Sequence, residues 1–168
     1  MREEELDIVS GPRLERRPEV ATLGIRETVP FRTMLSHRDR LLTELIQWLT
    51  DHGVEPDGPF FLRLHVVDMS DLMDIEVGVA GASDDADGRV QAGTLPAGDY
   101  AVLAYRVKSL AANRLLHRWV REQGLLLDTR PDPHGEAFAC RCETYLTDPR
   151  TEKRKKLWVV ELAFLTRS

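Results

Sequence analysis

The chain runs through one order of elements twice, and this repetition constrains its fold more than any single residue does. LLTELIQWLTDHG, residues 41–53, sets Leu41, Leu42, Leu45, Trp48 and Leu49 at helical spacing, with Gly53 placed as a stop. NRLLHRWVREQG, residues 113–124, does the same with Leu115, Leu116, Trp119 and Val120 before Gly124. Trp48 and Gly53 map onto Trp119 and Gly124 at one shared offset, 71 residues. A strand candidate precedes each helix: VATLGIRE (20–27) and YAVLAYRV (100–107). Two more follow each: PFFLRLHVVD (59–68) and LMDIEVGVA (72–80), then AFACRCETYLTD (137–148) and LWVVELAFL (157–165). The polar, turn-rich GASDDADG (81–88) separates the halves. The expected fold is α+β, one domain over 1–168 built from duplicated β-α-β-β units at about 6–82 and 89–168. Its antiparallel sheet carries pseudo-twofold symmetry, both long helices on one side and a ligand groove between the halves.

Alternation within the strands sorts their side chains into two faces. Met73, Ile75, Val77 and Val79 share one face of 72–80, and Asp74, Glu76 and Gly78 share the other. Trp158, Val160, Leu162 and Phe164 oppose Val159, Glu161 and Ala163. Phe60, Leu62, Leu64 and Val66 oppose Arg63 and His65, while Cys140, Cys142, Thr144 and Leu146 oppose Arg141, Glu143 and Tyr145. A lone carboxylate inside an apolar strand is either paired, protonated or facing a cavity, because burying it bare is costly. The expectation is a groove lined by Glu76, Glu143, Tyr145 and Glu161, with His65, Arg63 and Tyr105 beside it. A solvated face, or an ion pair of Glu161 with Arg63 or Arg141, fits the same strand.

Composition narrows the function classes. A net charge of −5 argues against direct binding to nucleic acid or anionic lipid. The acidic start MREEELDIV is no signal peptide, and no apolar run approaches the roughly 20 residues of a membrane span. The cytoplasm is therefore expected. Cys140 and Cys142 are spaced too closely for a zinc or redox motif, and they read as two reduced, partly buried thiols. The five histidines show no metal-ligand spacing. Residues 81–88 open like a calcium loop, but Ser83 and Thr94 occupy its first and last ligand positions, which rules the loop out. TDPRTEKRKK (147–156) reads as a solvated loop. No phosphate-binding loop, nucleophile elbow or dinucleotide fingerprint is present, so neither cofactor nor metal is expected.

Four features together resemble the GyrI-like small-molecule-binding domain, also called the AraC effector-binding domain. They are the doubled element order, LPAGDYAVL (95–103), CETYLTDP (142–149) and the closing WVVELAFL with its glutamate. The resemblance implies a groove for small aromatic or cationic molecules, as in multidrug-binding and transcription-regulator-related domains. It assigns the acidic residue of the last strand to Glu161, and the glutamate before the Tyr-Leu pair to Glu143, with Tyr145 two residues on. RVKSLAAN (106–113) departs from the family, which commonly has a glycine-containing turn there. No DNA-binding segment precedes Leu6, so a stand-alone domain is expected.

The leading expectation is a non-catalytic binder of a small amphipathic molecule, with Glu161 supplying the charge. A hydrolase of the cyclopropanoid cyclohydrolase type would use Glu161 or Glu143 as general base with Tyr145. A third class is an inhibitor acting on a protein partner such as DNA gyrase.

Overall fold

The apolar stripes become two helices whose ends the glycines set. The computed structural model describes residues 5–84 and 86–167; the chain ends and residue 85 of the expected linker lie outside them. Helix α1 spans Met34–His52 and α2 spans Ser109–Glu122. Gly53 closes α1 in the left-handed region, and Val54 N–H returns to the Leu49 carbonyl. Gly124, φ 69°, sits likewise after α2, where Leu125 N–H returns to Val120. Where the resembled family has glycine, this chain enters α2 through Val107 and Lys108, both left-handed at φ 51° and 58°. A branched side chain there is strained.

The strands are β1 Asp7–Arg17, β2 Val20–Pro30, β3 Phe60–Val67, β4 Leu72–Ala80, β5 Gln91–Leu95, β6 Gly98–Arg106, β7 Thr129–Asp132, β8 Gly135–Phe138, β9 Arg141–Tyr145 and β10 Val160–Leu165. The run expected over 137–148 divides at Ala139–Cys140 into β8 and β9. Strands β1, β5 and β7 were not expected. Most of their residues are exposed, and a strand without a buried face carries no alternation to read.

The sheet order is β1-β6-β10-β9-β3-β4-β2-β5, with β7 and β8 paired beside β3. Two short connections decide its shape. Pro18 and Glu19 alone join β1 to β2, and Pro96 and Ala97 alone join β5 to β6. Each connection links strands six places apart, which in a flat sheet is roughly 29 Å. Three peptide steps reach at most about 11 Å. The sheet must therefore curl until its edges meet. It curls away from the helices: Arg63 on β3 reaches over the far face to the Thr94 carbonyl of β5, 3.0 Å away.

The convex face packs beneath the helices, Leu41, Leu45 and Leu49 of α1 joining Leu116 and Val120 of α2 in one core. Trp48 and Trp119, expected to point inward, are only half-buried against it. Trp48 instead stacks on His52 and donates to Asp87 in the linker at 2.9 Å. The concave face holds a smaller core of Phe61, Tyr100, Val102, Cys140, Cys142 and Ala163. Among the described residues no helix is long and apolar enough to cross a membrane.

Candidate functional site

Strand register decides which expected site residues meet. Glu143 pairs with Leu62 on one side and Leu162 on the other, and the row continues through Leu103, Val77 and Ile25. Directly paired residues share a face. Glu143 is thus the one charged residue of a six-strand row that faces the helices. Tyr145 and Tyr105 flank Val160 in the neighbouring row on the same side. Glu161 pairs with Thr144 and Ala104 and faces the concave side, as does Glu76 opposite Arg63. The groove expected to hold Glu76, Glu143, Tyr145 and Glu161 together does not form. Their strands adjoin, but adjacent rows point to opposite faces.

On the convex side, α1 lies mainly over β2 and β4 and α2 over β6, so mid-sheet strands β9, β10 and β3 run between the helices. Glu143 stands in this strip. Tyr105 donates its hydroxyl to Glu143 Oε1 at 3.3 Å, a long bond, and no cation pairs with the carboxylate within 4.0 Å among the described residues. Glu143 nonetheless keeps intermediate exposure, so it is reached from the helix side. Desolvation raises its pKa above the ordinary carboxylate value, against the opposing pull of Arg38 and Arg141. Tyr145 is buried, its ring 5.3 Å from that of Trp158.

Arg38 of α1 reaches the Tyr145 hydroxyl at 3.4 Å and is held by Asp39, which Lys155 also binds. Burial works against the Arg38 charge, but Tyr145 and Asp39 outweigh it and raise its pKa. Arg141 lies between the Phe138 and Phe164 rings and donates to Asn113 at 3.0 Å. Its burial lowers its pKa to about 10. The result is a desolvated carboxyl among phenols and an indole, with two guanidiniums near but committed elsewhere. Such a carboxyl can accept a cation or a hydrogen-bond donor, and holds its proton to higher pH than an ordinary carboxylate.

The concave candidates are bound to one another. Arg17 of β1 donates to Glu161 at 2.7 Å and to Glu15 at 2.6 Å, so Glu161 is neither bare nor paired with Arg63 or Arg141. An extra residue in β3 shifts the register at His65, whose Nε2 meets Glu76 Oε1 at 2.8 Å. Gly24 makes room for that carboxylate: a Cβ there would lie 2.3 Å from Glu76 Oε2. Arg63 donates to the Thr94 and Ala139 carbonyls. A cavity of about 360 Å³ opens beside His65, between the sheet and the β7–β8 hairpin, with Arg26, Asp74, Arg130 and Asp132 on its wall. No group of three or more metal-binding side chains assembles among the described residues.

Sequence reasoning missed Arg38, Trp158 and Arg17 as neighbours of these groups. Arg38 carried a weak signal, as a charged residue one helical turn before the apolar stripe of 41–49. Arg17 carried none, because β1 itself was not read as a strand.

No family model matches the sequence, and no curated protein matches it. Solved structures match its fold. The crystal structure of the EcmrR C-terminal domain has TM-score 0.65 and 18% identity, covering 93% of this chain and 96% of that one. In the cryo-EM complex of EcmrR with DNA the TM-score is 0.70, and this chain spans 57% of the EcmrR chain. SAV2435 bound to tetraphenylphosphonium has TM-score 0.60 at 14% identity over 93% of each chain. A hydrolase from Listeria innocua has TM-score 0.55 at 14% identity, covering 93% of this chain and 92% of its own. At these identities the likeness establishes a shared antiparallel, sheet-rich α+β fold.

Proposed function

We propose that this chain is a GyrI-like small-molecule-binding domain that takes an aromatic or amphipathic cation at Glu143, between the two helices. Glu143 carries the reading. It is the only charge in its row, desolvated yet partly exposed, and has no ion-pair partner among the described residues. A lipophilic cation supplies that partner, and the pairing recovers part of the desolvation cost. Tyr105, Tyr145 and Trp158, themselves buried, form the aromatic packing around the carboxylate. That SAV2435, of the same fold, was solved with tetraphenylphosphonium supports the ligand class by analogy. The strand order supports duplication: β6-β10-β9 on one side of the centre mirrors β2-β4-β3 on the other.

Titration of tetraphenylphosphonium by calorimetry tests the site. Glu143→Gln is expected to weaken binding tenfold or more, about 1.4 kcal/mol. Glu161→Gln, whose carboxylate Arg17 already neutralises, is expected to change affinity less than threefold. Equal affinity of wild type and Glu143→Gln removes Glu143 from the site.

A hydrolase is the second reading, because a carboxyl of raised pKa within hydrogen-bond reach of the Tyr105 hydroxyl is equipped as a general base. Of the two bases expected for it, Glu161 or Glu143, this reading takes Glu143. Mass analysis of recovered ligand separates the two, since a binder returns its ligand unchanged.

A further inference from the structure

The concave face carries a feature that cation binding does not use. Cys140 and Cys142 are both buried there, with their sulfurs 3.8 Å apart, within hydrogen-bonding contact for sulfur. Arg63 stands directly across the sheet from Cys142. Both of its terminal nitrogens are committed to the Thr94 and Ala139 carbonyls. Its Nε–H is buried without an acceptor among the described residues. An orphaned guanidinium donor on the face that carries two thiols is poised for a negative charge on sulfur. A cleft of about 70 Å³ leads to both cysteines, past Arg17, Tyr100 and Thr144. A cavity that takes benzene measures about 150 Å³, so a cleft of this volume favours a reagent smaller than an aryl group.

We propose that Cys140 and Cys142 form a dithiol that small hydroperoxides, hydrogen peroxide above all, oxidise to a disulfide. Hydrogen bonding between the two thiols, with the Arg63 charge, brings the Cys140 pKa down to about 7 against burial. The same hydrogen bond and burial push Cys142 up. Cys140 is therefore the nucleophile and Cys142 the resolving thiol. The Cys140 thiolate attacks one peroxide oxygen; an S–O bond forms, the O–O bond breaks, and hydroxide leaves and is protonated to water. Loss of the neighbouring negative charge then eases deprotonation of Cys142. Its thiolate attacks the Cys140 sulfur, the S–S bond forms, the S–O bond breaks, and the second oxygen leaves as water. Two thiols lose two electrons and two protons, and peroxide becomes two waters.

The test treats the reduced, folded full chain with hydrogen peroxide, quenches, denatures, caps remaining thiols and weighs the protein intact. The expected product has lost two hydrogens and accepts no cap at either cysteine. In Cys142→Ser the reaction stops at a Cys140 sulfenic acid, which dimedone traps once the quenched protein is denatured. Arg63→Met is expected to slow oxidation at neutral pH about tenfold, the effect of roughly one pKa unit on the thiolate fraction. Cumene hydroperoxide, too bulky for the cleft, is expected to react at least tenfold more slowly than hydrogen peroxide on the folded protein. In denaturant that size selectivity disappears. Two cappable thiols after peroxide, or equal rates for the two peroxides on the folded chain, overturns the proposal; neither result depends on a variant folding.

Discussion

Glu143 and Glu161 are both glutamates inside apolar strands, and the fold treats them oppositely. Arg17 neutralises Glu161 at 2.7 Å, whereas among the described residues Glu143 has only the Tyr105 hydroxyl at 3.3 Å. The difference lies in which face each strand position occupies. It leads to opposite mutational behaviour. Arg17→Met strands a carboxylate whose side chain is only 12% exposed, and is expected to destabilise by about 1–3 kcal/mol. Glu161→Gln, which removes the charge and keeps the hydrogen bond, is expected to cost less. Combining the two changes is expected to recover part of the Arg17→Met loss. Urea unfolding of the three variants checks this, and additive losses show that the pair is not coupled.

At the scale of an element, glycines in two settings separate packing from backbone strain. Gly24 lies within β2 beneath Glu76, and a methyl group there collides with the carboxylate that holds His65. Gly24→Ala is expected to cost about 1–3 kcal/mol through overpacking, with part of the loss recovered when Glu76→Ala is added. Gly53 ends α1 at φ 62° with nothing within 4 Å of an added Cβ. Gly53→Ala is expected to cost about 1 kcal/mol from left-handed strain alone, and no neighbouring substitution is expected to relieve it. Thermal melts of the four proteins discriminate, and a Gly24→Ala loss untouched by Glu76→Ala places its strain elsewhere. The expected helix and strand positions over 41–52 and 72–80 were legible because both elements bury one regular face. β1 was not, because its exposed residues follow no period.

For the whole molecule, two half-buried groups shape stability against pH with opposite sign. His117 rests on the Phe164 ring, and burial, with Arg141 and Arg121 near, lowers its pKa to about 4. Between its ordinary 6.5 and about 4 the unfolded chain binds a proton that the folded chain refuses, so stability falls on acidification. Glu143 has a raised pKa: its contribution is present below the ordinary 4.5 and is lost as pH rises through the folded value. His117→Leu is expected to flatten the acid side of the stability curve and Glu143→Gln the side toward neutrality. Unfolding free energies from pH 4 to 7.5 measure both. A Glu143→Gln curve parallel to wild type shows that Glu143 ionises normally in the fold.

The sequence alone determined which segments become helices and inner strands, because apolar spacing and stop glycines are local properties of the chain. It also singled out Glu143, Tyr145 and Glu161, since a polar group within an apolar run is visible without a structure. It could not decide which of them meet. Strand alternation assigns two faces within each strand but does not say which face turns toward the helices. That assignment comes from register: Glu143 opposite Leu62 and Leu162, Glu161 opposite Thr144. Nor could it show the curl, which arises because two-residue connections join strands six places apart in the sheet. The curl brings Arg17 to Glu161 and Arg63 to Thr94, contacts between residues far apart in the chain that only the closed sheet makes.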